Sequence, residues 1–248
     1  MPHVDVNGFA MYFEVRGEGE PLLLLHGGTG IGADWRHVFP ADPHGYQVVV
    51  PDLRGHGRST NPSKQFTFRQ CARDVAALLD HLGLARVKAI GMSMGAKTLL
   101  HLATAERDRL DAMVLVSATP YFPAQARAAM ARFDADTLSD AEWDALRACH
   151  VHGDEQIRAL WEMTRGFAAS YDDMAFTPPR LATITARTLV VHGDRDPFYP
   201  LEMAFELHRS IAASALWVVP YGGHGPIFGR YASHFAEVAL AHLAGPAA

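Results

Sequence analysis

The sequence lacks the features of a nucleic-acid-binding, membrane-spanning or secreted protein. Its formal net charge is −5 over 248 residues, and it has no run of basic residues to bind a phosphate backbone. No apolar run approaches the ~20 residues of a membrane-spanning helix. The first residues show neither the basic segment nor the apolar stretch of a signal peptide. We therefore expect a cytoplasmic protein with neither nucleic acid nor a membrane as partner.

Cysteine is scarce as well. Cys71 and Cys149 are the only two, and their spacing matches no zinc, redox or disulfide motif, so we expect free thiols in a reducing compartment. Residues 149–154 gather one cysteine, two histidines and an aspartate, but no further group at a recognised metal-ligand spacing accompanies them. We interpret this segment as an exposed loop between helices and expect no bound metal.

The chain does contain an alternation of short apolar runs and helical stretches. A hairpin is predicted over residues 3–16, around the turn dipeptide Asn7-Gly8. The clearest helix begins at Thr67, where Gln70 completes a Thr-x-x-Gln capping box. The unbroken apolar runs are typical of parallel strands buried on both faces, and they cover residues 22–25, 47–50, 87–90, 113–116, 188–191 and 216–219. The pattern predicts an α/β fold with a mostly parallel central sheet flanked by helices.

One stretch interrupts this alternation. Residues 121–179 contain no strand-like run, and helices are predicted over residues 124–133, 140–149 and 155–171. We predict a helical cap at 121–179, inserted over the carboxyl edge of the sheet, where open α/β sheets bind ligands. The core would then comprise residues 1–120 and 180–248. The alternative is that these helices only cover one flank of the sheet.

The pattern Gly-x-Ser-x-Gly at residues 91–95 lies between a predicted strand and a predicted helix. A strand that turns this sharply into a helix holds its central residue, here Ser93, on a strained corner from which the hydroxyl projects. Side chains at the two glycine positions would collide with the neighbouring strand or helix. The arrangement is typical of a nucleophile elbow and indicates acyl-transfer chemistry.

A serine hydroxyl needs a base to take its proton and an acid to orient that base. His224 follows the last predicted strand as the candidate base, and Asp196 follows the strand before it as the candidate acid. Asp194 is the alternative acid, but it comes so soon after the strand that satisfying turn amides is the expected role. The order serine, acid, histidine differs from that of the common serine proteases.

A tetrahedral intermediate also needs hydrogen-bond donors for its oxyanion. We expect these to be the backbone amides of Met94, directly after the nucleophile, and of Gly28, in the glycine-rich turn after residues 22–25. That turn lacks the Gly-Lys-Ser/Thr ending of a phosphate-binding loop, so we expect no nucleotide or other cofactor.

Taken together, these motifs resemble the α/β-hydrolase superfamily along nearly the whole chain, as a small capped member of the serine esterase or lactonase type. They are the elbow, Leu25-His26-Gly27-Gly28, the turn at residues 52–59, Gly193-x-x-Asp196 and Gly223-His224. The resemblance implies Asp196 as the acid and a loop-stabilising role for Asp52 and His56. Serine at position 93, where dehalogenases and epoxide hydrolases carry aspartate, argues against those chemistries. Gly225 stands where carbon–carbon bond hydrolases often carry tryptophan.

The sequence thus predicts a serine hydrolase that cleaves small carboxylic esters through an acyl-enzyme, with a small-molecule ester as its partner. The same three residues would also serve a lactonase or a carbon–carbon bond hydrolase. A ligand receptor or signalling module that retained the fold is the alternative from another functional class. Nothing in the sequence indicates an oligomeric state.

Overall fold

The computed structural model describes residues 2–245, and in this range eight strands form one sheet. The strands are β1 (His3–Val6), β2 (Phe9–Arg16), β3 (Glu20–Leu25), β4 (Tyr46–Pro51), β5 (Val87–Met92), β6 (Leu110–Val116), β7 (Arg187–Gly193) and β8 (Ser214–Val219). Their spatial order is β1-β2-β4-β3-β5-β6-β7-β8. All six predicted apolar runs lie within strands.

The first two strands differ from the rest in direction. β1 and β2 form the predicted hairpin, and the turn residues Asn7 and Gly8 have φ values of 45° and 82°. β1 pairs antiparallel with β2, β2 pairs antiparallel with β4, and the five remaining neighbouring pairs are parallel. The predicted mostly parallel sheet is confirmed. Its parallel strands therefore end at one common edge, which gathers the segments that follow β3, β5, β7 and β8.

Helices cover both faces of the sheet. They are α1 (Phe68–His81), α2 (Met94–Ala105), α3 (Ala124–Met130), α4 (Asp140–Cys149), α5 (Asp154–Gly166), α6 (Pro178–Leu181), α7 (Leu201–Ser210) and α8 (Ala232–Ala244). Successive residues of β3 point to opposite faces, so Leu23 packs in one apolar cluster with α1 and α2. Leu24 packs in a second cluster with α8. In the described part of the chain, no helix has both the length and the apolar character needed to cross a membrane.

The start of α1 differs in one detail from the prediction. Thr67 caps the helix and accepts a hydrogen bond from the amide of Gln70 at 3.0 Å. The predicted return contact from the Gln70 side chain is wrong, because that side chain donates to Asp74 instead. Asp173, about a hundred residues further along the chain, supplies a second acceptor and binds the amide of Phe68 at 2.6 Å. This contact fastens the segment between β6 and β7 onto α1.

The segment between β6 and β7 is helical, as predicted. The predicted helix at 140–149 matches α4, whereas α3 ends three residues early and α5 gives way to a 3-10 turn at Phe167–Ala169. An antiparallel bridge between Tyr121 and Ala175 joins the two ends of the segment. The division into a core at 1–120 and 180–248 and a cap at 121–179 stays a prediction, and residues 1 and 246–248 of that core lie outside the described residues.

Candidate active site

Ser93 occupies a strained corner between β5 and α2. Its φ of 47° and ψ of −101° lie outside the regions that non-glycine residues normally adopt. The corner is held because the Ser93 amide donates to the carbonyl of Val116, on β6, at 2.8 Å. Strain of this kind persists only where the surroundings impose it, and it is common at functional sites.

Two glycines make this corner possible by allowing close approach of the backbone. A Cβ atom at Gly91 would lie 2.6 Å from the carbonyl carbon of Gly95, so strand and helix could not approach each other. A Cβ atom at Gly95 would lie 2.3 Å from the carbonyl oxygen of Leu25, at the end of β3. The spacing of the motif therefore reflects crowding at both glycines.

Three side chains from distant parts of the sequence form one hydrogen-bonded chain at the carboxyl edge of the sheet. His224 Nε2 lies 2.8 Å from Ser93 Oγ, and His224 Nδ1 lies 2.8 Å from Asp196 Oδ2. The other oxygen of Asp196 accepts hydrogen bonds from the amides of Phe198 and Tyr199 at 2.8 and 3.1 Å. The two loop amides fix the carboxylate, and the contacts to Asp196 and Ser93 restrict the orientation of the imidazole.

The two candidate acids have different surroundings. The side chain of Asp196 is fully buried. Burial by itself raises the pKa of Asp196, but the hydrogen bond and charge of His224 and the two loop amides outweigh burial and lower it below the ordinary value. Asp194 is exposed, and its amide donates to the carbonyl of Val219. The structure therefore brings Asp196, and not Asp194, to His224.

The loops that carry Asp196 and His224 touch each other. A Cβ atom at Gly193 would lie 2.3 Å from the carbonyl oxygens of Gly222 and Gly223, so glycine is required for the two loops to meet. The hydroxyl of Ser117, a residue with φ of 50°, donates to the carbonyl of His224 at 2.8 Å. This contact holds the backbone at residue 224, and the sequence analysis missed it because only the fold brings the two residues together.

A cavity of about 240 Å³ opens onto Ser93 and His224. Gly28 and Met94 both line it, and a Cβ atom at Gly28 would lie 3.5 Å from Cε of Met94. Within residues 2–245, neither backbone amide donates a hydrogen bond to another group of the protein. The wall is otherwise mainly apolar and includes residues of α3, of the segment after α3, of α5 and of the turn after α5, namely Met130, Phe133, Thr164 and Phe167.

A buried lysine also lines this cavity, and the sequence analysis missed it. Lys97 Nζ lies 3.4 Å from Ser93 Oγ and donates to the hydroxyl of Tyr199 at 2.9 Å. The signal was present in the sequence, since Ser93 and Lys97 are four residues apart at the start of a helix and so share one face. Lysine is an uncommon choice for the buried face of such an apolar helix.

The turn at residues 52–59 has a structural role, as the family resemblance implied. The two oxygens of Asp52 accept hydrogen bonds from the amides of Gly32 and Arg58, at 2.8 and 2.9 Å. His56 is fully buried, and its Nδ1 lies 3.0 Å from the carbonyl of Arg54. Neither side chain lines the cavity at Ser93.

The interpretation of residues 149–154 as an exposed loop is wrong for His150. This side chain is only 1% exposed, because it reaches from the end of α4 into the core. Its Nδ1 accepts from the amide of Gly57 at 2.9 Å, and its Nε2 lies 3.0 Å from the carbonyl of Thr29, in the glycine-rich turn. Across residues 2–245, no group of three or more histidine, cysteine, aspartate or glutamate side chains is placed to hold a metal ion.

The model of the α/β hydrolase fold family matches residues 20–165, more than half of the chain. The chain belongs to the α/β-hydrolase family. The match extends from β3 through the elbow into α5. β7 and β8, which precede the loops that carry Asp196 and His224, lie outside the match and belong to the same sheet.

Several relatives of this hydrolase are known. A soluble epoxide hydrolase from Corynebacterium sp. (strain C12) is 36% identical over 115 residues, which are 46% of this chain and 40% of that protein. The 2-hydroxy-6-oxo-6-(2'-aminophenyl)hexa-2,4-dienoic acid hydrolase of Metapseudomonas resinovorans is 23% identical over 97% of this chain and 89% of that protein. Among solved structures, an N-acyl homoserine lactone degrading enzyme is 26% identical with a TM-score of 0.75, over 96% of this chain and 98% of that one. These relatives support hydrolase activity.

Proposed function

We propose that this protein is a serine hydrolase that cleaves small carboxylic esters through an acyl-enzyme intermediate. Ser93 attacks the ester carbonyl, and His224 takes the serine proton and passes it to the leaving alcohol. Asp196 keeps the imidazole in the tautomer that carries a proton on Nδ1. Water, deprotonated by His224, then attacks the acyl-enzyme and releases the carboxylic acid.

The proposal rests on one observation, the unbroken chain of hydrogen bonds between the three side chains, with both contacts to His224 at 2.8 Å. A serine hydroxyl is a weak nucleophile without an adjacent base. Here the base already lies at hydrogen-bond distance, and the buried carboxylate of Asp196 favours the positive charge that the imidazole acquires during attack.

The amides of Gly28 and Met94 are proposed as the oxyanion donors. Support comes from their position on the cavity wall beside Ser93 and from the absence of competing acceptors for either amide within residues 2–245. An amide without a protein acceptor can donate to the developing oxyanion without first giving up another bond. The modest volume of the cavity favours a small acyl group.

The second candidate function is cleavage of a lactone or of a carbon–carbon bond, and two of the comparisons support it. One similar structure is of an enzyme that degrades an N-acyl homoserine lactone, and one relative hydrolyses a substituted hexadienoic acid. Rates on p-nitrophenyl esters, lactones and vinylogous diketones separate the three classes. We expect the esters to be turned over fastest.

The proposed setting is the cytoplasm, with a small ester as the partner. Both cysteines are free thiols, and Cys71 is buried in the core. Free thiols suit a reducing compartment.

The replacement Ser93→Ala tests the proposal. We expect ester turnover to fall by at least about 1,000-fold, because the nucleophile is lost while oxyanion stabilisation and substrate binding remain. Thermal unfolding should remain close to that of the unmodified protein, which separates loss of chemistry from loss of fold. Ser63→Ala, at an exposed loop position, is the control and should keep full activity. A folded Ser93→Ala protein with undiminished turnover would overturn the assignment.

A further inference from the structure

Lys97 lies one helical turn beyond Ser93 and is the buried cation nearest to the proposed chemistry. The residue is only 3% exposed, yet it lines the cavity, and its Nζ lies 3.4 Å from Ser93 Oγ. The one other polar contact of Nζ within residues 2–245 is the hydroxyl of Tyr199, at 2.9 Å. An ammonium group has three protons to donate, so one remains available to a group in the cavity.

Among the residues that the structure describes, no carboxylate pairs with this cation. Within residues 2–245, Lys97 forms no ion pair, and the oxygens of the nearby Asp196 are bonded to His224 and to two loop amides. Three aromatic rings surround Nζ instead, with centroids 5.3 Å away in Phe68, 5.7 Å in Phe122 and 5.0 Å in Tyr199. Ring faces attract a cation but leave its charge uncancelled.

A buried ammonium group without an ion-pair partner lowers the stability of the fold, so its presence calls for a function. Burial lowers the pKa of Lys97 to about 7, although the charge of Asp196 opposes this shift. Near neutral pH, both the amine and the ammonium are therefore populated, and an anion that enters the cavity stabilises the ammonium. If packing were the only requirement at this position, an apolar side chain of similar length would fill the space without the cost of desolvation.

We propose that Lys97 is a specificity-determining residue that binds a carboxylate in the acyl portion of the substrate. The inference rests on the proposed serine hydrolase function. Since His224 must reach the leaving alcohol, the acyl portion is left to face Lys97, which approaches Ser93 Oγ from α2. A charge-assisted hydrogen bond spans about 2.8 Å, so the carboxylate belongs within a few bonds of the ester carbonyl, as in a half-ester of a short dicarboxylic acid.

Two esters of the same shape test this inference. Monomethyl succinate carries the carboxylate, and in methyl 4-methylpentanoate an isopropyl group of similar shape replaces it. For the unmodified protein we expect kcat/KM to favour monomethyl succinate by about 10-fold or more, because the charged hydrogen bond outweighs the cost of placing a carboxylate in an apolar cavity. A preference for the neutral ester would overturn the role of Lys97. It would leave the serine hydrolase proposal intact, whereas failure to hydrolyse either ester would count against both.

The replacement Lys97→Met removes the charge and keeps the length of the side chain. We expect the ratio of the two kcat/KM values to fall by about 10- to 100-fold in favour of the neutral ester. Lys64→Met, at an exposed lysine outside this cavity, is the matched control and should leave the ratio unchanged. If Lys97 instead accepted the Ser93 proton, both esters would lose rate equally, and that constant ratio would overturn the proposal. Should Lys97→Met fail to fold, the preference of the unmodified protein decides the question.

Discussion

Two sets of histidines lie at the carboxyl edge of the sheet, and they differ in what they bond. His224 borders the cavity, its side chain is 22% exposed, and its two nitrogens contact a carboxylate and a hydroxyl. His26, His56 and His150 are at most 2% exposed, and the protein groups bonded to them belong to the backbone.

The hydrogen-bond partners distinguish a histidine suited to catalysis from histidines that stabilise the fold. His26 and His150 each lie between a backbone donor and a backbone acceptor and must stay neutral, because one nitrogen donates and the other accepts. His56 has one backbone partner, the carbonyl of Arg54. Burial lowers the pKa of all three rings and so favours the neutral form of each. An imidazole between a carboxylate and a hydroxyl can instead take up a proton during a reaction. The position of a histidine after a strand is therefore insufficient to assign its role.

The largest expected difference lies in activity. His224→Gln should lower kcat/KM on a small ester by about 10,000-fold or more, because Ser93 loses its base. His150→Gln should lower it far less, since that ring lies outside the cavity. Steady-state kinetics of the two variants, with circular dichroism to verify folding, make the comparison. Equal losses would contradict the assignment of a catalytic role to His224 and a structural role to His150.

Replacement of the acid, Asp196, provides a second test, in which the expected loss of activity is smaller. Asp196→Asn should lower kcat by about 1,000- to 10,000-fold, because an amide no longer holds the imidazole in the required tautomer or stabilises its charge. Asp194→Asn is the matched control at the exposed neighbouring acid and should keep its activity. Loss of activity in the Asp194 variant alone would reverse the assignment of the acid.

For the free energy of unfolding we expect the opposite order, in which the buried histidines matter more than His224. His150→Gln should lower the free energy of unfolding by about 1–3 kcal/mol, since it disturbs the buried hydrogen bond to Gly57 and the partly buried one to Thr29, which join the end of α4 to two turns. His152→Gln, at an exposed histidine two residues away, serves as the control. Urea unfolding measures both, and equal stabilities would show that the His150 contacts contribute nothing.

The smallest expected effect is on how the stability of the protein depends on pH. The three buried histidines have folded-state pKa values below the ordinary value of about 6.5, so the unfolded chain binds more protons once the pH falls below 6.5. Their contribution to stability is therefore complete above about pH 6.5 and declines as the pH falls towards the lowered values. Urea unfolding over this range should show the decline, with a shallower slope in His150→Gln. Identical slopes in both proteins would contradict a titrating role for His150.

Sequence patterns predicted the parts of the structure that depend on residues close together in the chain. The hairpin at Asn7 and Gly8 and the corner at Ser93 are local, since each follows from turn chemistry or from crowding at a glycine. The parallel strands were predictable because burial on both faces leaves unbroken apolar runs. The bounds of α3 and α5 were less accurate, because periodicity does not mark where a helix becomes a 3-10 turn.

The missed features are contacts between distant segments. His150 lies 93 residues from Gly57, its partner, and Ser117 lies 107 residues from the carbonyl it binds. No spacing rule connects such pairs, so a histidine that joins α4 to the core looked like part of an exposed loop. Lys97 is different, because its distance from Ser93 is a single helical turn. The position was predictable, but the lack of a carboxylate partner required the packed structure.

The central claim is that His224 activates Ser93, and covalent labelling tests it most directly. A fluorophosphonate probe should attach to the unmodified protein at one equivalent, with peptide mapping by mass spectrometry placing the adduct on Ser93. In His224→Gln, the labelling rate should fall by at least about 100-fold, because general base assistance is lost. Labelling at another residue, or labelling of Ser93 at an unchanged rate in His224→Gln, would contradict the account.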